Sequence, residues 1–317
     1  MLHESLDGFA HCHRDLVVLD PGYRFVRRHA TTPGKVALVS GGGSGHEPLH
    51  LGFVGEGMLD AACPGQIFTS PTPDQMIAAA EAVDTGAGVL FIVKNYEGDT
   101  MNFAMAAEML NGRAATLVVD DDVAIEPSSV TIGRRGIAGT LVIEKVIGAA
   151  AERGDDVAAL LEVGKEVNAA TRTMGVALSS CTIPAADVPT FELADDEMEL
   201  GVGIHGEAGW RRTALKSADE IASDMVEKIV TDVAPVERGR VLLVLNGLGG
   251  TPMAELYLMY DAARRRLERY GFEVHRGLVG SFVTSLDMAG CSITVTVLSE
   301  SIAALWDAPV TTAALRW

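Results

Sequence analysis

The chain has 317 residues, 48% of them hydrophobic, with 43 acidic against 25 basic side chains and a net charge of −18. That length fits one large core or two ordinary ones, and the acidic excess argues against nucleic acid as a partner, because phosphate contacts need a basic face. With no run of about 18 apolar residues no membrane span is expected, and the opening MLHESLDGFAHCHRD lacks the basic start and apolar core of a secretory signal.

In chain order, apolar segments predict strands at Val36–Ser40, Gly88–Val93, Thr116–Val119, Leu200–Ile204, Val241–Leu245 and Ile293–Leu298. Helical patterns alternate with them. Thr72 reads as an N-cap, with Pro73 first and Gln75 third, and Asp155–Ala170 and Ala218–Val233 space apolar residues three and four apart. The alternation predicts α/β architecture. The best boundary is SSCTIPAADVP, Ser179–Pro189, which divides the chain into 1–180 and 181–317.

The first strand runs into GGGSGHEPLH, where His46-Glu47-Pro48-Leu49-His50 spells the H-E-x-x-H zinc pattern. Both histidines reach one metal only on a single helical turn. Pro48 removes an amide hydrogen and pushes Glu47 out of the α region, and Gly45 is a poor helix residue. The favoured reading is a loop histidine followed by a helix starting near Pro48, with no metal. The glycines fit no Walker loop, which needs Lys and Ser/Thr after the last glycine, and no G-x-G-x-x-G fingerprint, because His46 stands where the third glycine belongs. Glycine there lets something small approach the backbone, although a bare strand-to-helix turn explains the segment equally.

KNYEGD places Lys94 and Asp99 around a glycine turn after a strand, and MELGVGIHGEAG places His205 at another strand end. Two loop histidines and an aspartate can supply a base, a nucleophile and an orienting acid. A faint echo aligns Val89–Leu110 with Val241–Tyr260: Asn95 with Asn246, Gly98 with Gly249, Thr100 with Thr251, and Asp99 with Gly250. Only the first copy keeps a carboxylate at the carboxyl end of its strand, where open α/β sheets place ligands; chance similarity of two βα turns remains open. Four scattered cysteines (Cys12, Cys63, Cys181, Cys291) with no C-x-x-C pair suit a reducing cytoplasm. The acidic surface suits concentrated salt, and an arginine-rich genome would account equally for having only six lysines.

GGGSGHEPLHLGFVGEGMLDAA, FTSPTPDQ, IVKNYEGDTMNF, RRGIAGT, RTMGVALSSCTIP, FELADDEMELGVGIHGE and NGLGGTPMAELY together resemble the substrate-binding K subunit of the dihydroxyacetone kinase family, in order from about residue 5 to 310. The resemblance implies two α/β domains with mixed β-sheets flanked by helices, a homodimer, and dihydroxyacetone held as a hemiaminal on His205. It further implies that Gly43, Ser44, Gly45 and His46 form the substrate loop, with His46 as base, and that Lys94 and Asp99 contact substrate. No cofactor is expected on this chain. ADP or ATP with magnesium would sit on a separate L subunit, recharged from phosphoenolpyruvate through a phosphotransferase-system M subunit or by ATP. Ligand-sensing paralogues that act on a transcription regulator, and kinases for a related ketose such as erythrulose, are the alternatives.

Overall fold

The structure is a computed structural model and describes residues 1–125, 133–184, 188–233 and 239–317. Residues 185–187, within the expected boundary, lie outside them. Two compact units result, one from residues 1–119, 141–167 and 302–317, the other from 120–140 and 168–301.

In the first unit, α1 (Leu2–Cys12) leads to β1 (Val17–Leu19), β2 (Val26–Arg28), β3 (Ala37–Ser44), β4 (Gly55–Glu56) and β5 (Ala61–Ile67), then α2 (Pro73–Val83), β6 (Val89–Lys94), α3 (Glu97–Met109) and β7 (Ala114–Val119). The main sheet runs β1-β2-β5-β3-β6-β7, parallel from β5 to β7 and antiparallel at the β1 edge. Its parallel centre explains the apolar stretches Ala37–Val39 of β3 and Val89–Val93 of β6, buried on both faces. Val39, Phe91, Met76 and Phe103 centre the core, and the Phe91 and Phe103 rings meet edge-on at 5.2 Å. Each such side chain contributes about 1.5–3 kcal/mol on burial. The expected capping box at Thr72 and Gln75 starts α2.

α4 (Gly139–Arg153) and α5 (Val157–Ala170) follow. Gly148 of α4 lies so close to the chain at residues 57–58 that a Cβ would stand 2.3 Å from the Gly57 carbonyl, and Gly164 of α5 abuts Leu117. These approaches put 141–167 in the first unit. The division therefore departs from a single cut at 180: packing of the α4–α5 segment, and return of the chain after residue 301, override linear order.

The second unit holds β8 (Thr171–Ala177), β9 (Thr182–Ile183), β10 (Val188–Pro189), β11 (Glu197–Leu200), β12 (Arg211–Ala214), α6 (Ala218–Val233), β13 (Arg240–Gly247), α7 (Met253–Arg269), β14 (Glu273–Gly280) and β15 (Gly290–Val297). Its sheet runs β12-β11-β8-β15-β13-β14, antiparallel except for β13 with β14. Buried threonines on β8 and β15 satisfy each other in cross-strand pairs, Thr171 with Thr296 at 2.9 Å and Thr173 with Thr294 at 2.8 Å. Both sheets are mixed and flanked by helices, as expected. α8 (Glu300–Asp307) and β16 (Thr311–Thr312) close the chain, β16 pairing with β4.

Two local expectations are corrected. No helix begins at Pro48; the chain turns and makes only a short 3-10 segment, Leu51–Phe53. The strand expected at Leu200–Ile204 ends at Leu200, because Gly201 takes φ +79°, a left-handed conformation that breaks the ladder.

Candidate functional site

In the first unit the site is built on the carboxyl end of β3. Three successive glycines are there because neighbours crowd each one. A Cβ would stand 2.7 Å from the Cys63 carbonyl at Gly41, 2.3 Å from Lys94 Nζ at Gly42 and 2.6 Å from the Thr69 nitrogen at Gly43. Ser44 Oγ donates to the Gly65 carbonyl at 2.7 Å, and Gly45, at φ +101°, donates its amide to Glu47 Oε2 at 2.9 Å. The Glu47 carboxyl is pushed up by burial.

His46 is buried, its ring stacked on Phe68 at 4.9 Å and 15°. Phe68 holds φ +53°, a conformation that costs a non-glycine residue on the order of 1–3 kcal/mol and clusters at functional sites. Lys94, the last residue of β6, is buried and donates to Asp99 Oδ2 at 3.3 Å, to the Gly41 carbonyl at 3.4 Å and to His50 Nε2 at 3.0 Å. Asp99 lies in the first turn of α3 rather than in a loop, where the helix dipole favours its charge, and Ser70 Oγ donates to its Oδ1. Lys94 and Asp99 are thus in direct contact.

The sequence reading missed His50, Glu144, Ser40 and Ser70. In the sequence His50 stands out only as the second histidine of the H-E-x-x-H pattern. Its Nδ1 faces Glu144 Oε1 at 2.6 Å and Ser40 Oγ at 3.0 Å. Burial pushes His50 well below its ordinary range and pushes the fully buried Glu144 up to about 8. The signal for Glu144 was available: a Glu-Lys pair inside LVIEKVIGAAA, an otherwise apolar helix. Among the described residues, no group of three or more His, Cys, Asp or Glu side chains could hold a metal.

In the second unit, His205 lies between two glycines in left-handed conformations, Gly201 at φ +79° and Gly206 at φ +78°. Its Nδ1 lies 2.8 Å from Glu207 Oε1, and its backbone amide donates to Glu207 Oε2 at 3.0 Å. A carboxylate only accepts, so Nδ1 carries a hydrogen, and in the neutral ring the lone pair lies on Nε2. Burial pushes Glu207 up, but the His205 hydrogen bond and the charges of His205 and Arg135 outweigh it and hold the carboxyl at about 2. Arg135 is fixed in turn by Asp122 Oδ2 at 2.7 Å and the Gly201 carbonyl at 2.7 Å. Sequence reading missed Glu207, two residues beyond the histidine it orients.

The Dak1 domain matches residues 7–314. The chain belongs to the Dak1 family. This Dak1 chain is 46% identical to the PEP-dependent dihydroxyacetone kinase, dihydroxyacetone-binding subunit DhaK, of Escherichia coli K12, over 100% of this chain and 97% of that protein. Among solved structures it resembles the dihydroxyacetone kinase operon co-activator DhaQ, with TM-score 0.93, 31% identity, and 98% and 97% of the two chains covered. It also resembles the dihydroxyacetone kinase of C. freundii in complex with AMP-PNP and Mg2+, with TM-score 0.90, 37% identity, and 98% of this chain but 58% of that one covered. Among the described residues no helix is long and apolar enough to cross a membrane.

Proposed function

We propose that this Dak1 chain is the dihydroxyacetone-binding subunit of a dihydroxyacetone kinase and binds its substrate as a hemiaminal on His205. Full-length identity to a dihydroxyacetone-binding kinase subunit supports the substrate class. The observation that carries the covalent step is Glu207 on His205 Nδ1 at 2.8 Å, which directs the lone pair to Nε2. Nε2 adds to the ketone carbon, the carbonyl π pair moves to oxygen, and a solvent proton completes the hydroxyl. Glu207 stabilises the positive charge that the ring gains. Dihydroxyacetone has few atoms, which caps its non-covalent affinity, and the bond also rejects glycerol, which has no carbonyl.

Gly43, Ser44 and Gly45 line the substrate, Lys94 and Asp99 contact it, Asp99 accepts from a substrate hydroxyl, and His46 is the base toward the hydroxyl that is phosphorylated. The phosphoryl group would come from ATP held with magnesium on a separate L subunit, and the ADP left there would be recharged from phosphoenolpyruvate through a phosphotransferase-system M subunit. The two K chains of a homodimer work in the cytoplasm. Native mass spectrometry and a crystal structure with dihydroxyacetone test this: an adduct on His205 is expected, and one that persists in His205→Ala overturns the assignment.

The likeness to the co-activator DhaQ favours a second reading, a ligand sensor. Turnover with purified L subunit separates the two, because a sensor binds dihydroxyacetone without phosphorylating it.

A further inference from the structure

Lys94 does not meet Asp99 alone. Behind it, buried in the first unit, His50 and Glu144 extend a line of polar groups from Lys94, His50 3.0 Å from Lys94 and Glu144 2.6 Å from His50, and the proposed chemistry uses neither of the two. An ammonium has three donors and no acceptor, and a neutral imidazole has one N–H. The Lys94 contact therefore makes His50 Nε2 the acceptor and sends the ring hydrogen to Nδ1. There it meets Glu144 Oε1, with Ser40 Oγ as a longer second acceptor at 3.0 Å whose own hydrogen goes to the Ile92 carbonyl at 2.7 Å. We propose that His50 and Glu144 are positioning residues for phosphoryl transfer: Glu144 holds the His50 hydrogen on Nδ1, so that Nε2 accepts from Lys94 and keeps its ammonium on the Asp99 carboxylate. The role rests on the function proposed above.

The charges support this order. Glu144, Lys94 and Asp99 are all buried, and an imidazolium between Glu144 and Lys94 would place two cations 3.0 Å apart. Burial and the Lys94 charge accordingly push His50 far below its ordinary range. Glu144 Oε2 has no hydrogen-bond partner, so the short Oε1 contact to His50 is what compensates this buried carboxyl. Gly42 completes the arrangement by leaving room for Nζ. With its three donors assigned to His50, Asp99 and the Gly41 carbonyl, Lys94 has one orientation; without His50 a donor is left buried and the ammonium can turn away from Asp99.

Two measurements on the full chain test the proposal. Nitrogen-15 NMR, with His50 assigned by its loss in His50→Gln, should show a neutral ring protonated on Nδ1; an Nε2–H tautomer or an imidazolium at neutral pH overturns the proposal. In turnover with the L subunit, His50→Leu should lower kcat by about 10²-fold, the effect of misplacing a group by about 1 Å, while the His205 adduct still forms. His50→Gln, whose amide oxygen can accept from Lys94 and whose amide nitrogen can donate to Glu144, should recover most of that loss. Wild-type kcat in His50→Leu, or no recovery in His50→Gln, overturns the positioning role. The two failures are told apart: a wild-type chain that turns nothing over refutes the function and this role with it, whereas wild-type turnover with the wrong tautomer refutes this role alone.

Discussion

Gly42→Ala puts the architecture of the glycine run to a direct test. The added methyl would lie 2.3 Å from Lys94 Nζ and 3.4 Å from His50 Nε2. Lys94 Nζ must then retreat by roughly 1 Å to reach ordinary contact. Its bonds to Asp99 at 3.3 Å and to Gly41 at 3.4 Å are already long, so a shift of that size breaks at least one of them. A misplacement of about 1 Å costs on the order of 10²-fold in rate. Stability should fall less than where a methyl meets backbone, because the obstacle is the tip of a flexible side chain. Weaker lysine pairing costs about 1–3 kcal/mol, and the lost glycine entropy returns about 0.4–1 kcal/mol. Gly43→Ala is the contrast: its methyl would meet backbone, the Thr69 nitrogen at 2.6 Å and Phe68 Cα at 2.7 Å, so it should fail to fold. The assay is kcat/KM for dihydroxyacetone with the L subunit beside a thermal melt of each variant. Wild-type kcat/KM in Gly42→Ala would refute the claim that Lys94 is held where the glycine admits it. Activity lost only in step with unfolding would reduce the run to packing.

His46→Ala and Asp99→Ala should each lower turnover by about 10²- to 10⁴-fold with the fold intact, as loss of a general base or its partner does; normal turnover in both would place the base elsewhere. Glu207, held at about 2 against an ordinary value near 4.3, binds fewer protons folded than unfolded between those values, so it adds stability above pH ~4.3 that is lost as pH falls toward 2. Urea melts should show that acid-side loss shrinking in Glu207→Gln, and an unchanged slope would detach Glu207 from His205. Elemental analysis should find no stoichiometric zinc, and chelators should leave dihydroxyacetone binding unchanged; one zinc per chain would restore the H-E-x-x-H reading.

The central strands were legible because β3, β6, β13 and β15 are buried along nearly their whole length, and burial on both faces leaves apolar stretches such as Val89–Val93 and Val241–Leu245. The Thr72 box and α6 were equally legible, since caps and amphipathic spacing are local signals. What pattern could not carry was contact between distant residues. The 2.6 Å meeting of His50 with Glu144 spans 94 positions, and no spacing rule joins them. His50 was hidden further by standing inside a motif that invited a metal. Asn246, aligned with Asn95, is a buried staple that accepts from the Phe282 and Val283 amides at 2.8 Å and 2.9 Å and donates to the Val283 carbonyl at 2.8 Å.

The return of the chain to its first unit bears on biosynthesis. Thr311–Thr312 pair with Gly55–Glu56, and the Ala314 amide bonds the Gly52 carbonyl, so strands laid down early lack these partners until residues beyond 301 have been made. Domains usually fold in the order of synthesis. Here that order is inverted: every residue of the second unit has been translated by 301, while the unit that begins first is still unfinished. A ribosome stalled between those points would display a second unit with all its strands and a first unit with β4 still bare, a nascent form open to chaperones and proteases.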